Sequence, residues 1–77
     1  MLWMHLGMGF RDMDLDDQVR AALRRDAGVS AFRIDVSVRN GIVRLKGNVS
    51  DEARLHALEL ARAVESVAVV VDEMTTP

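Results

Sequence analysis

His5 and His56 are the only imidazoles in this 77-residue chain, and twelve carboxylates are the other groups suited to acid–base or metal chemistry. Neither histidine has the partners such chemistry needs. His5 lies in the apolar opening stretch and His56 projects from the side of a predicted helix, so both read as solvated surface residues. No nucleophile is paired with a base. Cysteine is absent, which excludes disulfides and thiolate metal sites. The run Asp12-Met13-Asp14-Leu15-Asp16-Asp17 is dense in carboxylates but lacks the glycine and terminal glutamate of a calcium loop. It reads instead as negative charge at the start of a helix, where the helix dipole favours it. Gly41 and Gly47 are too far apart, and on the wrong elements, to cradle a phosphate. Asn48-Val49-Ser50 fits a glycosylation pattern, a common chance match in which Ser50 already has a structural role as a helix cap. These residues predict no enzyme, no metal and no cofactor.

One grouping does point to a function. Arg33, Arg39, Arg44 and Lys46 occupy polar positions of a predicted hairpin, against Asp35 alone, in a chain whose net charge is −2. A basic sheet face suits an anionic phospholipid surface, where each cation contributes on the order of 1 kcal/mol. The competing reading is an ordinary solvated face, balanced by Asp72 and Glu73 on a later strand. Nucleic acid is not an expected partner: the face has no aromatic for bases to stack on, and the chain has no G-x-x-G loop of the kind that clamps RNA.

The elements that must position these residues follow from periodicity. Asn40-Gly41 is the dipeptide best suited to the positive φ angles of a two-residue hairpin turn. Before it Phe32, Ile34, Val36 and Val38 alternate with polar residues, and after it Val43, Leu45, Gly47 and Val49 do the same. This period of two predicts strands over Phe32–Arg39 and Ile42–Val49 with one buried face. Leu15, Val19, Ala22, Leu23 and Ala27 predict a helix from Leu15 to Ala27, stopped by Gly28, with an Asp16–Arg20 pair on its surface. Ser50 is placed to cap a second helix, Asp51–Glu65, whose buried stripe is Ala53, Ala57, Leu60, Ala61 and Val64. Leu55 and Leu58 fall outside that stripe. Val67–Met74 is rich in β-branched residues and reads as a strand. Its consecutive valines, including Val69 and Val71, put at least one on the uncovered face and open a route to self-association through the third strand.

The fold class is therefore α+β: a two-layer αββαβ sandwich, with two helices packed on one face of a three-stranded sheet. Whether the third strand lies beside the first or the second is left open by the pattern. The length allows one small domain, taken as residues 14–75 after a leader over 1–13. The leader is too short to cross a bilayer and lacks the basic start of a secretory signal. It reads as a flexible extension, a strip packed on the domain, or a contact segment carrying Trp3 and Phe10. Met4, Met8 and Met13 also allow a later start. As written the chain carries no export signal, which on its own reads as cytoplasmic.

The run from Asp17 to Met74 resembles the BON domain, the bacterial osmotic-stress and nodulation module. The family's hairpin pattern n-G-x-V-x-L-x-G-x-V appears as Asn40, Gly41, Val43, Leu45, Gly47 and Val49. Arg54, Ala57, Leu60, Ala61 and Val64 follow in the helix, then Val67, Val70 and Met74 in the closing strand. Two positions depart from the pattern: Ser66 stands where the family usually has glycine, and Asp72 where it usually has asparagine. The resemblance implies a non-catalytic module of bacterial envelope proteins that associates with membrane phospholipid or with an envelope protein, in a periplasmic or envelope-associated setting. It also admits a second role, as an interaction or accessory sensing domain that self-associates or docks on a larger protein. It implies a costly left-handed backbone at Ser66, or a rebuilt turn there.

Overall fold

The computed structural model describes residues 10–77, with side chains from Asp12 onward. The first helix, α1, spans Phe10–Arg25 and buries Leu15, Val19 and Leu23 on one stripe. It starts five residues before the expected Leu15, so part of the predicted leader forms its first turn. It also ends sooner than expected, and Gly28 is not its stop. Asp26 is. Its extended backbone (φ −94°, ψ 113°) breaks the helix, and its carboxylate accepts from the N–H groups of Gly28 at 2.9 Å and Val29 at 3.2 Å. That caps a single-turn helix, α2 (Ala27–Ser30), which sinks Val29 into the core.

The hairpin forms as the Asn-Gly turn dictates. Strand β1 (Asp35–Arg39) pairs antiparallel with β2 (Ile42–Asn48), and Asn40 and Gly41 take φ angles of 53° and 78°. The alternation of Val36, Val38, Val43, Leu45 and Val49 places all five in the core. β1 begins three residues later than the alternation predicts, and Phe32 is 37% exposed rather than buried. Gly47 shows why. A Cβ built there would lie 2.5 Å from the Arg33 carbonyl oxygen, so the chain at residues 33–34 climbs over Gly47 on the helix side instead of pairing in the sheet. Gly47 makes room for a backbone crossing at Arg33–Ile34.

Ser50 caps the third helix, α3 (Asp51–Arg62), its side chain accepting from the Ala53 N–H at 3.2 Å. The buried positions are Ala53, Ala57, Leu58 and Ala61. Leu58, expected on the outer flank, is only 7% exposed, while Leu60 and Val64 are half-buried, so the seam is rotated toward Leu58. The helix ends at Arg62, earlier than Glu65. Ser66 then adopts φ 79°, the left-handed conformation that glycine would take more cheaply, so the turn is kept at a cost in strain. Strand β3 (Val69–Thr75) pairs in parallel with β2, which gives the order β1-β2-β3 and puts β2 in the centre. Two layers result, the mixed three-stranded sheet and the helices on one of its faces, as the αββαβ pattern requires, with α2 as an added turn.

Candidate functional site: the uncovered face of the sheet

The side of the sheet away from the helices carries the alternate residues of each strand. Register sorts them into rows. Arg39, Ile42 and Val69 form the row next to the turn; Ser37, Arg44 and Val71 form the second; Asp35, Lys46 and Glu73 form the third. The rows differ in kind. At the turn end, Ile42 is 39% exposed and Val69 52%, beside two arginines that make no ion pair among the described residues. Further along, Lys46 lies between two carboxylates on its neighbouring strands, an arrangement that offsets its charge.

The structure therefore places Arg39, Arg44 and Lys46 on one face, as expected, but in unequal surroundings. Arg33 is exposed on the segment before β1, outside the strand ladder. Trp3 lies outside the described residues. Phe10 opens α1, and its side chain is outside them too. Ile42 was missed by the sequence reading, although it shares the parity of Arg44 and Lys46. Asp72 does not balance this face. Strand alternation turns it to the helix side, where both Nε and Nη2 of Arg54 lie 2.6 Å from its Oδ2. That hydrogen bond holds the Asp72 carboxyl below the ordinary carboxylate range against an opposing effect of burial, and the Met74 N–H contributes in the same direction. The same bond and the carboxylate's charge raise Arg54 above its usual value.

Asp72 also shapes the free edge of β3. The Thr75 carbonyl accepts from the Val49 N–H, so Val69, Val71, Glu73 and Thr75 direct their backbone groups to β2. Val70, Asp72 and Met74 direct theirs outward. Oδ1 of Asp72 takes the Met74 N–H at 2.9 Å, which removes one donor from that edge. The opposite edge is blunted as well: Arg20 reaches from α1 to the Val36 carbonyl at 2.9 Å while its Nε holds Asp16 at 2.7 Å.

The acidic run at the start of α1 is occupied in ways the sequence reading did not foresee. The Asp12 carboxylate accepts from the N–H groups of Asn40 at 3.0 Å and Gly41 at 3.3 Å, gripping the hairpin turn. Asp14 accepts from Gln18 at 2.8 Å. On the other side of the turn, the Gly41 carbonyl accepts from the Ala68 N–H at 2.9 Å. His56 stands on the surface of α3 with Nδ1 3.8 Å from an Asp26 oxygen. A cleft of about 210 Å³ lies between α1 and the start of β1, walled by Leu23, Val29, Phe32 and Ile34 with Arg20 and Arg24 at its rim. It is smaller than the range of about 300–1,000 Å³ typical of small-molecule sites. No helix among the described residues is long and apolar enough to cross a membrane.

Comparison with curated proteins finds no match for this chain. A family model does match, over residues 11–77, a span that takes in every strand, α2, α3 and all but the first residue of α1. With the Asn-Gly hairpin, the alanine-lined helix and the parallel closing strand in place, the chain belongs to the BON domain family.

Proposed function

We propose that this chain is a non-catalytic module that binds the surface of anionic phospholipid membranes through the turn end of its uncovered sheet face. The observation that carries this reading is the row Arg39–Ile42–Val69 beside Arg44: exposed aliphatic side chains flanked by guanidinium groups that make no ion pair among the described residues. Such a surface gains from shallow burial of its apolar groups and from attraction to phosphate headgroups. The BON family's association with phospholipid and osmotic stress, and its generally non-catalytic character, support the same reading. Arg39 and Arg44 are its main cations. Lys46 and Arg33 add to the field around them, and Trp3 and Phe10 are the aromatic residues that precede the Asp12 grip in sequence, a grip that brings the start of α1 to the hairpin turn.

Co-sedimentation with vesicles at low salt tests the proposal. Binding to vesicles containing phosphatidylglycerol, weak binding to phosphatidylcholine alone, and loss of the difference in an Arg39→Ala/Arg44→Ala double variant are expected. Equal absence of binding to both compositions removes the reading.

A second reading is docking on another protein, or on a second copy, through β3 and the outside of α3. It is favoured by Val69 at the β3 edge and by Leu55, 59% exposed on α3. Light scattering separates the two: a monomer whose behaviour does not change on Leu55→Ser or Val69→Thr substitution counts against docking between copies.

A further inference from the structure

We propose that Asn40–Gly41 is a deamidation site that Asp12 holds in check, so that docking of α1 on the hairpin sets the chemical lifetime of the turn. The chemistry needs an electrophilic side-chain amide, a following backbone nitrogen as nucleophile, and no side chain on that residue to crowd a five-membered ring. Asn40 and Gly41 supply all three, and Asn40 is exposed. In the first step the Gly41 nitrogen bonds to Asn40 Cγ and the Cγ–Nδ2 bond breaks. The proton from the Gly41 nitrogen leaves with the departing ammonia. Water then adds to either carbonyl of the cyclic imide, and ring opening leaves aspartate or isoaspartate in place of Asn40. Solvent water is the one co-reactant.

The fold opposes the first step at the nucleophile itself. The Gly41 N–H is donated to Asp12 Oδ1 at 3.3 Å and the Asn40 N–H to Oδ2 at 3.0 Å. A nitrogen held this way cannot swing toward Cγ, and the adjacent carboxylate disfavours its losing a proton. The peptide is held from the other side too, because the Gly41 carbonyl accepts from the Ala68 N–H at 2.9 Å. Reaction therefore proceeds from the state in which the first turn of α1 has let go, and helix ends open far more readily than cores. The product returns to the closed state less readily than the parent turn. An aspartate there sets a second carboxylate against Asp12, and an isoaspartate adds a backbone atom to a two-residue turn that has room for none.

The test is ageing of the full chain in mildly alkaline buffer, read by ammonia release, intact mass and a protease map of the turn that distinguishes isoaspartate. Three proteins are compared: wild type, Asp12→Ala, and Ala57→Gly, which loosens the fold as a whole from inside α3 without touching the turn. Asp12→Ala is expected to react roughly tenfold faster than wild type, the effect of losing charge-assisted hydrogen bonds, with Ala57→Gly close to wild type. Equal rates for wild type and Asp12→Ala overturn the proposal. So does acceleration by Ala57→Gly equal to that by Asp12→Ala, since protection would then belong to global stability and not to the grip.

Discussion

The two faces of β2 have the same neighbours in sequence and opposite roles. Val43, Leu45 and Gly47 look toward the helices; Ile42, Arg44 and Lys46 look away from them. On the inner face, shape is critical. Leu45 is fully buried, and Gly47 has no space even for a methyl group. On the outer face no element among the described residues is packed, and side chains there can change without disturbing the core. One strand thus separates residues that decide whether the domain folds from residues that decide what it touches.

The sharpest way to break this contrast is from the inside. Leu45→Ala is expected to cost about 2–5 kcal/mol, most of the stability of a domain this small, seen as a large fall in the urea midpoint. Gly47→Ala is expected to cost about 3 kcal/mol, because the new methyl group meets a main-chain carbonyl that cannot rotate away. An unchanged midpoint for either variant would mean the inner face tolerates what its packing forbids.

Outer-face changes should leave that midpoint alone and act on binding. Loss of both Arg39 and Arg44 is expected to weaken affinity for anionic vesicles by about 2 kcal/mol, roughly thirtyfold. Lys46→Ala, at a position offset by Asp35 and Glu73, should weaken it much less. Comparable losses from the two variants would show that the rows of this face do not differ as their register implies.

Strain in the turn before β3 gives a smaller effect of opposite sign. Ser66→Gly is expected to stabilise the domain by about 1 kcal/mol, since glycine accepts φ 79° without the penalty serine bears. A fall in stability would show that the serine side chain offsets its own strain.

The Arg54–Asp72 pair predicts the mildest dependence, on pH. Folded Asp72 takes up its proton at lower pH than the unfolded chain does, so the unfolded state binds more protons in between. The pair's contribution is complete above the ordinary aspartate range and fades as pH falls through and below it. Asp72→Asn should flatten that part of the stability profile, measurable by thermal melts across acid buffers.

Local signals in the sequence were read well. The Asn-Gly turn, the alternation around it and the Ser50 cap each rest on chemistry within a few residues, and each appears in the structure. What escaped is non-local. Phe32 continues the alternation perfectly, yet the chain leaves the sheet before it because of Gly47, fifteen residues later. Asp12 looked like a helix-starting charge, and its partners lie 28 and 29 residues away. Asp72 and Glu73 were counted together as balancing charge; alternation sends them to opposite faces, which only the strand register makes visible. Leu58 was misplaced because a helical stripe is defined to within one residue until its neighbour is known. The contact face was half legible: its cations stood out, while Ile42 escaped because one apolar residue beside a turn carries no signal alone.

The Asp12 grip also fixes where the chain enters the domain. Phe10 stands two residues before it, so the chain comes in at the hairpin tip, whereas β3, parallel to β2, carries it out at the opposite end beside Asn48. Entry and exit are separated by the length of a seven-residue strand, about 20 Å, although domain termini often lie close together. The two ends of the domain thus lie at opposite ends of its sheet. A pull between them would load the Asp12 grip first and, once α1 holds or yields, the parallel β2–β3 ladder in shear, with its hydrogen bonds bearing force together.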